Sequence, residues 1–226
     1  MELIYCSGGN IKFVEIALQH GYLYGARLPD TVYAPLHFAD NDWARPNRPA
    51  YMAALAKHRP HMASVLDLER EDQLDDVLSW ADEAAQYVQT VMIIPKVFGI
   101  IRRLPRRIGG ADVRLGYSVP TAHGSTDVPV WEFDGWPVHL LGGSPHAQHR
   151  LTHYLHAVSA DGNMAQLMAT RYCAFYDPAR RTRRGLWPTL ADYDGRPWGD
   201  GSNTADAPYE AFRRSCSNIM QLWSRR

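Results

Sequence analysis

Three aspartates stand where short apolar runs end: Asp40 in FADNDW (38–43), Asp67 in LDLE (66–69) and Asp161 in AVSADGN (157–163). A carboxylate can attack a carbon as a nucleophile, and a second one nearby can pass a proton to or from the leaving and entering groups. Three such groups meeting at one face would suit bond exchange at a sugar carbon. Each also has a plainer reading. Asp161 before Gly-Asn-Met could cap a helix. Asp40 with Asn41 could close an Asx-type turn. Asp67 could be a buried strut between loops. Three further runs end in IIPK (93–96), LGYS (115–118) and LLGGSP (140–145). They offer Lys96, the pair Gly116 and Tyr117, and Gly142, Gly143 and Ser144, where bare backbone can approach a flat ligand or a phosphate.

The elements that must bring these residues together follow from periodicity. Eight strands are predicted at 3–6, 22–26, 33–38, 63–66, 91–94, 113–117, 138–141 and 157–159, most of them apolar on both faces, as parallel strands covered on both sides are. Helices are predicted at 11–20, 49–58, 72–89, 146–156, 163–175 and 209–223. Strand and helix alternate, which argues for parallel βα units. In a closed barrel of such units the carboxyl ends of the strands form the mouth. The fold expected is a compact single-domain α/β protein, a TIM-like (β/α)8 barrel. The catalytic barrel would take residues 1–177. Residues 178–226 would supply a basic turn, an irregular loop rich in Gly, Pro, Asp and Trp, and a helix packed on the barrel.

Composition narrows the class. The chain has 226 residues, 46% of them hydrophobic, and a formal net charge of zero. Among the basic residues only Lys12, Lys57 and Lys96 are lysines. Cys6, Cys173 and Cys216 are odd in number and lack metal-type spacing, so reduced thiols are expected. No secretory leader or apolar run of membrane-spanning length is read, and a cytoplasmic protein is expected, in the host cytoplasm if phage-encoded. Two arginine clusters could hold a phosphate backbone. They are Arg102, Arg103, Arg106 and Arg107, and then Arg180, Arg181, Arg183 and Arg184. His146, His149, His153 and His156 would share one helical stripe, read as a solvated face rather than a metal site. Neither metal nor cofactor is expected.

Taken in order, the segments from about residue 33 to 176 resemble the tRNA-guanine transglycosylase superfamily, and most closely its short phage and bacterial DNA-guanine transglycosylases. Asp40 with Asn41 is similar to the family's acid/base turn, Asp67 to its guanine-binding aspartate, Gly116-Tyr117 to its paired glycines, LLGGSP to the glycine segment that opens a helix, and Asp161 to its nucleophile. The family's cysteine zinc motif is absent, so no zinc subdomain is implied. Lys96 stands where a base-reading Gln would be, and Tyr117 replaces the second glycine. The resemblance implies exchange of guanine in DNA for a free 7-deazaguanine base of the preQ0 type, through a covalent aspartyl-deoxyribose intermediate. Exchange in tRNA, and a non-catalytic nucleic-acid-binding barrel, are the alternatives.

Overall fold

The computed structural model describes residues 1–6, 9–121, 125–183, 185–194 and 205–224. Nine strands form one sheet: β1 (Glu2–Cys6), β2 (Leu23–Arg27), β3 (Phe38–Asp40), β4 (Met62–Leu68), β5 (Thr90–Pro95), β6 (Arg107–Ile108), β7 (Ala111–Ser118), β8 (Val138–Leu141) and β9 (Ala157–Asp161). Eight pair in parallel, in the circuit β1-β2-β3-β4-β5-β7-β8-β9 and back to β1, so the sheet closes into a barrel. The short β6 is an antiparallel addition to the start of β7.

Seven of the eight expected strands lie where the apolar runs put them. The third is displaced: the run at 33–38 contains Pro35, which has no N–H to give a ladder, and the paired residues are Phe38–Asp40. The shift leaves Asp40 as the last residue of its strand.

Seven α-helices are described: α1 (Ile11–Gln19), α2 (Arg48–His58), α3 (Leu74–Ala84), α4 (Pro145–Leu151), α5 (Met164–Tyr172), α6 (Leu190–Asp194) and α7 (Ala207–Ser224). Side-chain caps explain several starts. Asn10 accepts from the Lys12 N–H, Asn47 from the Ala50 N–H and Ser144 from the Ala147 N–H. Three helices are shorter than the sequence pattern suggests, among them α5, which stops at Tyr172 because Cys173 takes a left-handed conformation (φ 47°). The 72–89 stretch divides into a 3-10 turn (Glu71–Gln73) and α3, because the chain must turn after Ala84 to reach β5. The 146–156 stretch ends as a helix at Leu151, where single-turn bonds from His153 to Arg150 and Tyr154 to Leu151 take over. The four histidines therefore do not share one helical stripe. Helix α7 packs against α1 and α5, with the Phe212 ring 5.2 Å from Tyr5 and 5.1 Å from Phe13.

Two apolar clusters divide the core. The larger lies between strands and helices. The smaller fills the barrel with Ile4, Phe38, Met62, Met92 and Ile94. Gly116 belongs to this inner layer: a Cβ there would stand 2.7 Å from Ile94 Cγ1 and 2.8 Å from Leu141 Cδ1. The missing side chain lets the strands across the barrel close.

Candidate active site

All three aspartates end up at the carboxyl-terminal mouth, on β3, β4 and β9. Parity along the strands decides which residues face inward. On β9 it is Ser159 and Asp161; on β1, Glu2, Ile4 and Cys6. Asp67 would point outward on a regular β4, since Met62 and Ser64 already face in. A register shift between Ser64 and Asp67 re-aims it, so that it aligns with Ile94 of the inner layer. A bulge beside a site commonly does this.

Asp40 carries the strongest electrostatic signature. Burial, together with the charges of Asp161 and Asp67, lifts its carboxyl from an ordinary 3.8 to about 7. The Ser64 hydroxyl, which donates to Asp40 Oδ1 at 2.7 Å, opposes the rise without cancelling it. Burial also raises Asp67, against the pull of Lys96, whose Nζ lies 3.5 Å from Asp67 Oδ2. Lys96 further donates to Ser118 Oγ at 2.7 Å and to the Ser125 carbonyl at 3.0 Å, so its ammonium is fixed at the mouth.

Asp161 is held differently. Its Oδ1 accepts from the Gly142 N–H at 3.1 Å and faces His139 Nε2 at 3.2 Å. The helix cap expected of it belongs to Asn163 by position instead, so the capping reading fails. His139 is fully buried, with Nδ1 2.7 Å from Ser159 Oγ, and Ser159 accepts from Arg114 Nη1 at 2.9 Å. Arg114 can only donate. The Ser159 hydroxyl proton is then free to point at His139 Nδ1, an arrangement in which Nε2 presents an N–H to Asp161. Gln148 Nε2 ties the loops together by donating to the Gly142 and Asp161 carbonyls, at 2.7 and 2.6 Å. Gly143 has φ 79°, and a Cβ there would clash with Val119 Cγ1. Ser144 is occupied as the α4 cap.

Cys6, at the end of β1, has its thiol pushed well up by burial and by Asp161 and Asp40, which disfavours a thiolate there. Arg27 closes β2 beside Asp40 in register, and it pairs with Asp30 at 2.9 Å and Asp42 at 3.8 Å. A cavity of about 40 Å³ lies behind Asp161, lined by Ile4, Tyr22, Gly143 and Gln148 among others. It is room for a water or two rather than a purine. None of the three aspartates lines the larger cleft, about 420 Å³, beside Phe175, Asp177 and Arg214.

Several expected site residues lie elsewhere. The Tyr117 ring is buried against Phe133 at 5.3 Å, outside the barrel, because it alternates with inward-facing Gly116. Gly116 is a packing glycine beneath the mouth. Asn41 is 3% exposed, and its amide and backbone N–H bind Ser64 and Val65, so it braces Asp40 instead of lining the mouth. The first arginine cluster does not converge on the aspartates. Arg102 binds the Gly99 carbonyl of its own loop, and Arg103 lies 3.7 Å from Glu71. Arg106 stacks on Trp136 at 3.6 Å, and Arg107 pairs with Asp112 at 3.4 Å. The last two belong to the opposite pole, where β7 and β8 begin. Arg180 stacks on Tyr193 at 5.2 Å and donates to the Asp192 carbonyl. Arg181 and Arg183 are exposed on the turn after Asp177, and Arg184 lies outside the described residues.

The sequence reading missed His139, Ser159, Ser64 and Ser118. Their signal was present: each is a polar residue at an inward position of an apolar strand. It also missed three exposed aromatics, Trp43, Phe98 and Trp131, on the loops that follow β3, β5 and β7. Phe98 and Trp131 meet edge to face at 5.7 Å. No described helix is long and apolar enough to cross a membrane. No curated protein and no solved structure matches the chain. A family model described as a family of unknown function, DUF6610, matches residues 17–224, and the chain belongs to that family.

Proposed function

We propose that the barrel mouth exchanges the base on a nucleoside C1′, and that the substrate is guanine in DNA, replaced by a free 7-deazaguanine of the preQ0 type. The observation that carries this reading is Asp40, with a carboxyl near 7, at the same mouth as an Asp161 whose Oδ1 is pinned by two groups. A group half-protonated near neutrality can serve as acid in one half-reaction and base in the next. Asp161 Oδ2 attacks C1′ while the C1′–N9 bond breaks and the leaving guanine takes a proton from Asp40. The entering base then gives its N9 proton back to Asp40. Its N9 attacks C1′, and the ester bond to Asp161 breaks. Two inversions retain configuration. Asp67 accepts from the N–H edge of the base, with Lys96 holding its other oxygen. Trp43, Phe98 and Trp131 offer faces for a base turned out of its stack.

The dispersal of Arg102, Arg103, Arg106 and Arg107 favours a second reading, in which the same chemistry acts on a free nucleoside with no polymer to grip. One assay separates them. The protein is incubated with labelled guanine or preQ0 and with duplex DNA, tRNA or guanosine, and label is followed into each. The proposal expects label in DNA, and Asp161→Asn to lower the rate about 10⁴-fold or more, the scale of losing a nucleophile. Label in tRNA alone or guanosine alone reassigns the substrate. Full activity of Asp161→Asn removes the nucleophile, and with it the mechanism.

A further inference from the structure

We propose that Glu2, His37 and His61 form a binding site for a divalent first-row transition ion of the zinc type, at the amino-terminal pole of the barrel and apart from the aspartate mouth. Glu2 opens β1, His37 immediately precedes β3, and His61 immediately precedes β4, so closure of the barrel gathers three segments remote in sequence. One ligand atom from each lies within 4.8 Å of the others. Glu2 Oε1 and His37 Nε2 are 3.7 Å apart. Ligands of a tetrahedral zinc with bonds of about 2.0–2.1 Å stand about 3.3 Å from one another. That pair is within a few tenths of an ångström of the requirement, and rotation of the His61 ring closes the rest.

Two observations point to a ligand rather than to incidental proximity. His37 Nε2 is buried and faces Glu2 Oε1 at 3.7 Å without a hydrogen bond of normal length, a state that buried polar atoms rarely keep. The surroundings are also those of an outer coordination shell. Arg114 Nη1 donates to Glu2 Oε2 at 2.8 Å, which fixes the carboxylate and leaves Oε1 facing His37. The Gln89 side chain stands within reach of the His61 ring. Partners of this kind orient ligating carboxylates and imidazoles in known metal sites. The two rings stack at 4.8 Å with planes 16° apart, so the His61 ring must turn out of the stack for both imidazoles to reach one ion.

Two imidazoles and one carboxylate suit zinc, cobalt or nickel with a solvent molecule in the remaining position, and suit magnesium or calcium poorly. All three ligands are partly exposed, which gives the ion a path in. Such an ion would join β1 to the entries of β3 and β4, so its binding energy would appear as stability of the fold.

The test uses the full chain, stripped with a chelator and titrated with zinc chloride by calorimetry, with thermal melts in parallel and cobalt absorption as a report on coordination. One equivalent of zinc is expected, with a raised melting temperature, a tetrahedral cobalt spectrum and no response to magnesium. His37→Ala and His61→Ala should each weaken zinc binding about 100-fold or more, at least the loss caused by removing an outer-shell partner. His149→Ala, on α4, should bind as the parent does. If either histidine variant fails to fold, Glu2→Gln, which keeps the shape of the side chain, decides. Absence of stoichiometric zinc binding, or unchanged affinity in these site variants, overturns the proposal.

Discussion

The two poles of the barrel treat the same chemical group in opposite ways. At the mouth, burial and two neighbouring carboxylates raise Asp40 to about 7. At the other pole the His37 ring, outweighing burial, and then Arg114 hold Glu2 at about 2. A polar chain joins the two ends through the interior. It runs from Asp161 to His139, Ser159, Arg114 and Glu2. In barrels of this kind reactive groups gather at the carboxyl ends of the strands and stabilising ones at the amino ends. The contrast says what each pole does with its charge. One leaves carboxylates without enough cations, which costs stability and creates an acid/base group. The other satisfies its carboxylate.

Among the substitutions that compare the two poles, Asp40→Asn should produce the largest effect. Loss of the proton carrier is expected to lower the exchange rate about 10³-fold. Stability should move the other way. Because the folded carboxyl titrates at about 7 and the unfolded one near 3.8, the folded state binds more protons between those values, and parent stability falls as pH rises through that window. The variant lacks this loss. Its advantage, measured by urea unfolding, should grow from nothing near pH 4 toward a plateau on the order of 4 kcal/mol above pH 7. Equal pH dependence in both proteins would mean that Asp40 is not strained by its neighbours. Arg114→Met tests the other pole. It leaves Glu2 without its cation, and about 3 kcal/mol of stability at pH 7 should go, at the low end of what breaking a buried pair costs because Glu2 is partly exposed. A neutral result would make the two poles energetically alike.

His139→Ala probes the connection between them. It removes one of the two groups that fix Asp161 Oδ1, and the exchange kcat should fall about 10²-fold with KM little changed, as when one preorganised donor is lost. A rise in KM with unchanged kcat would show that His139 supports binding and not the orientation of Asp161.

Which features were readable from the residues follows from how far each depends on neighbours in space. The barrel was legible because parallel strands covered on both faces leave continuous apolar runs, and seven of those runs needed only short-range pattern. Asp40 and Asp161 were legible because strand ends are polar and barrel mouths collect strand ends. Asp67 was placed at the mouth for an incomplete reason: a regular β4 would have turned it outward, and the bulge that corrects this has no mark in VLDLE. Tyr117 was misread because a glycine pair was expected, whereas alternation sends every second residue of β7 into the helix layer. The arginines misled because sequence neighbours in 102–107 span a connection that runs from one pole to the other. Glu2, His37 and His61 could not be associated at all, since only closure of the barrel makes them neighbours.

Gly116 lies in the layer that separates the poles, and it yields the smallest predicted effect. A ligand-facing glycine and a packing glycine respond differently to one added methyl. In the structure that methyl meets Ile94, Leu141 and Met92, all side chains of the inner cluster and none of them polar. Gly116→Ala should therefore cost about 1–2 kcal/mol by overpacking, seen as a lower urea midpoint, while KM for the base stays unchanged. Since the closest contact is with Ile94 Cγ1, the stem of a β-branched side chain that cannot swing aside freely, the cost belongs near the top of that range. The opposite pattern, a KM increase at unchanged stability, would place the methyl in the ligand's space. The mouth would then reach one residue deeper into the barrel than Asp40 and Asp161 mark it, leaving less of the interior as insulation between the strained carboxylates and the satisfied one.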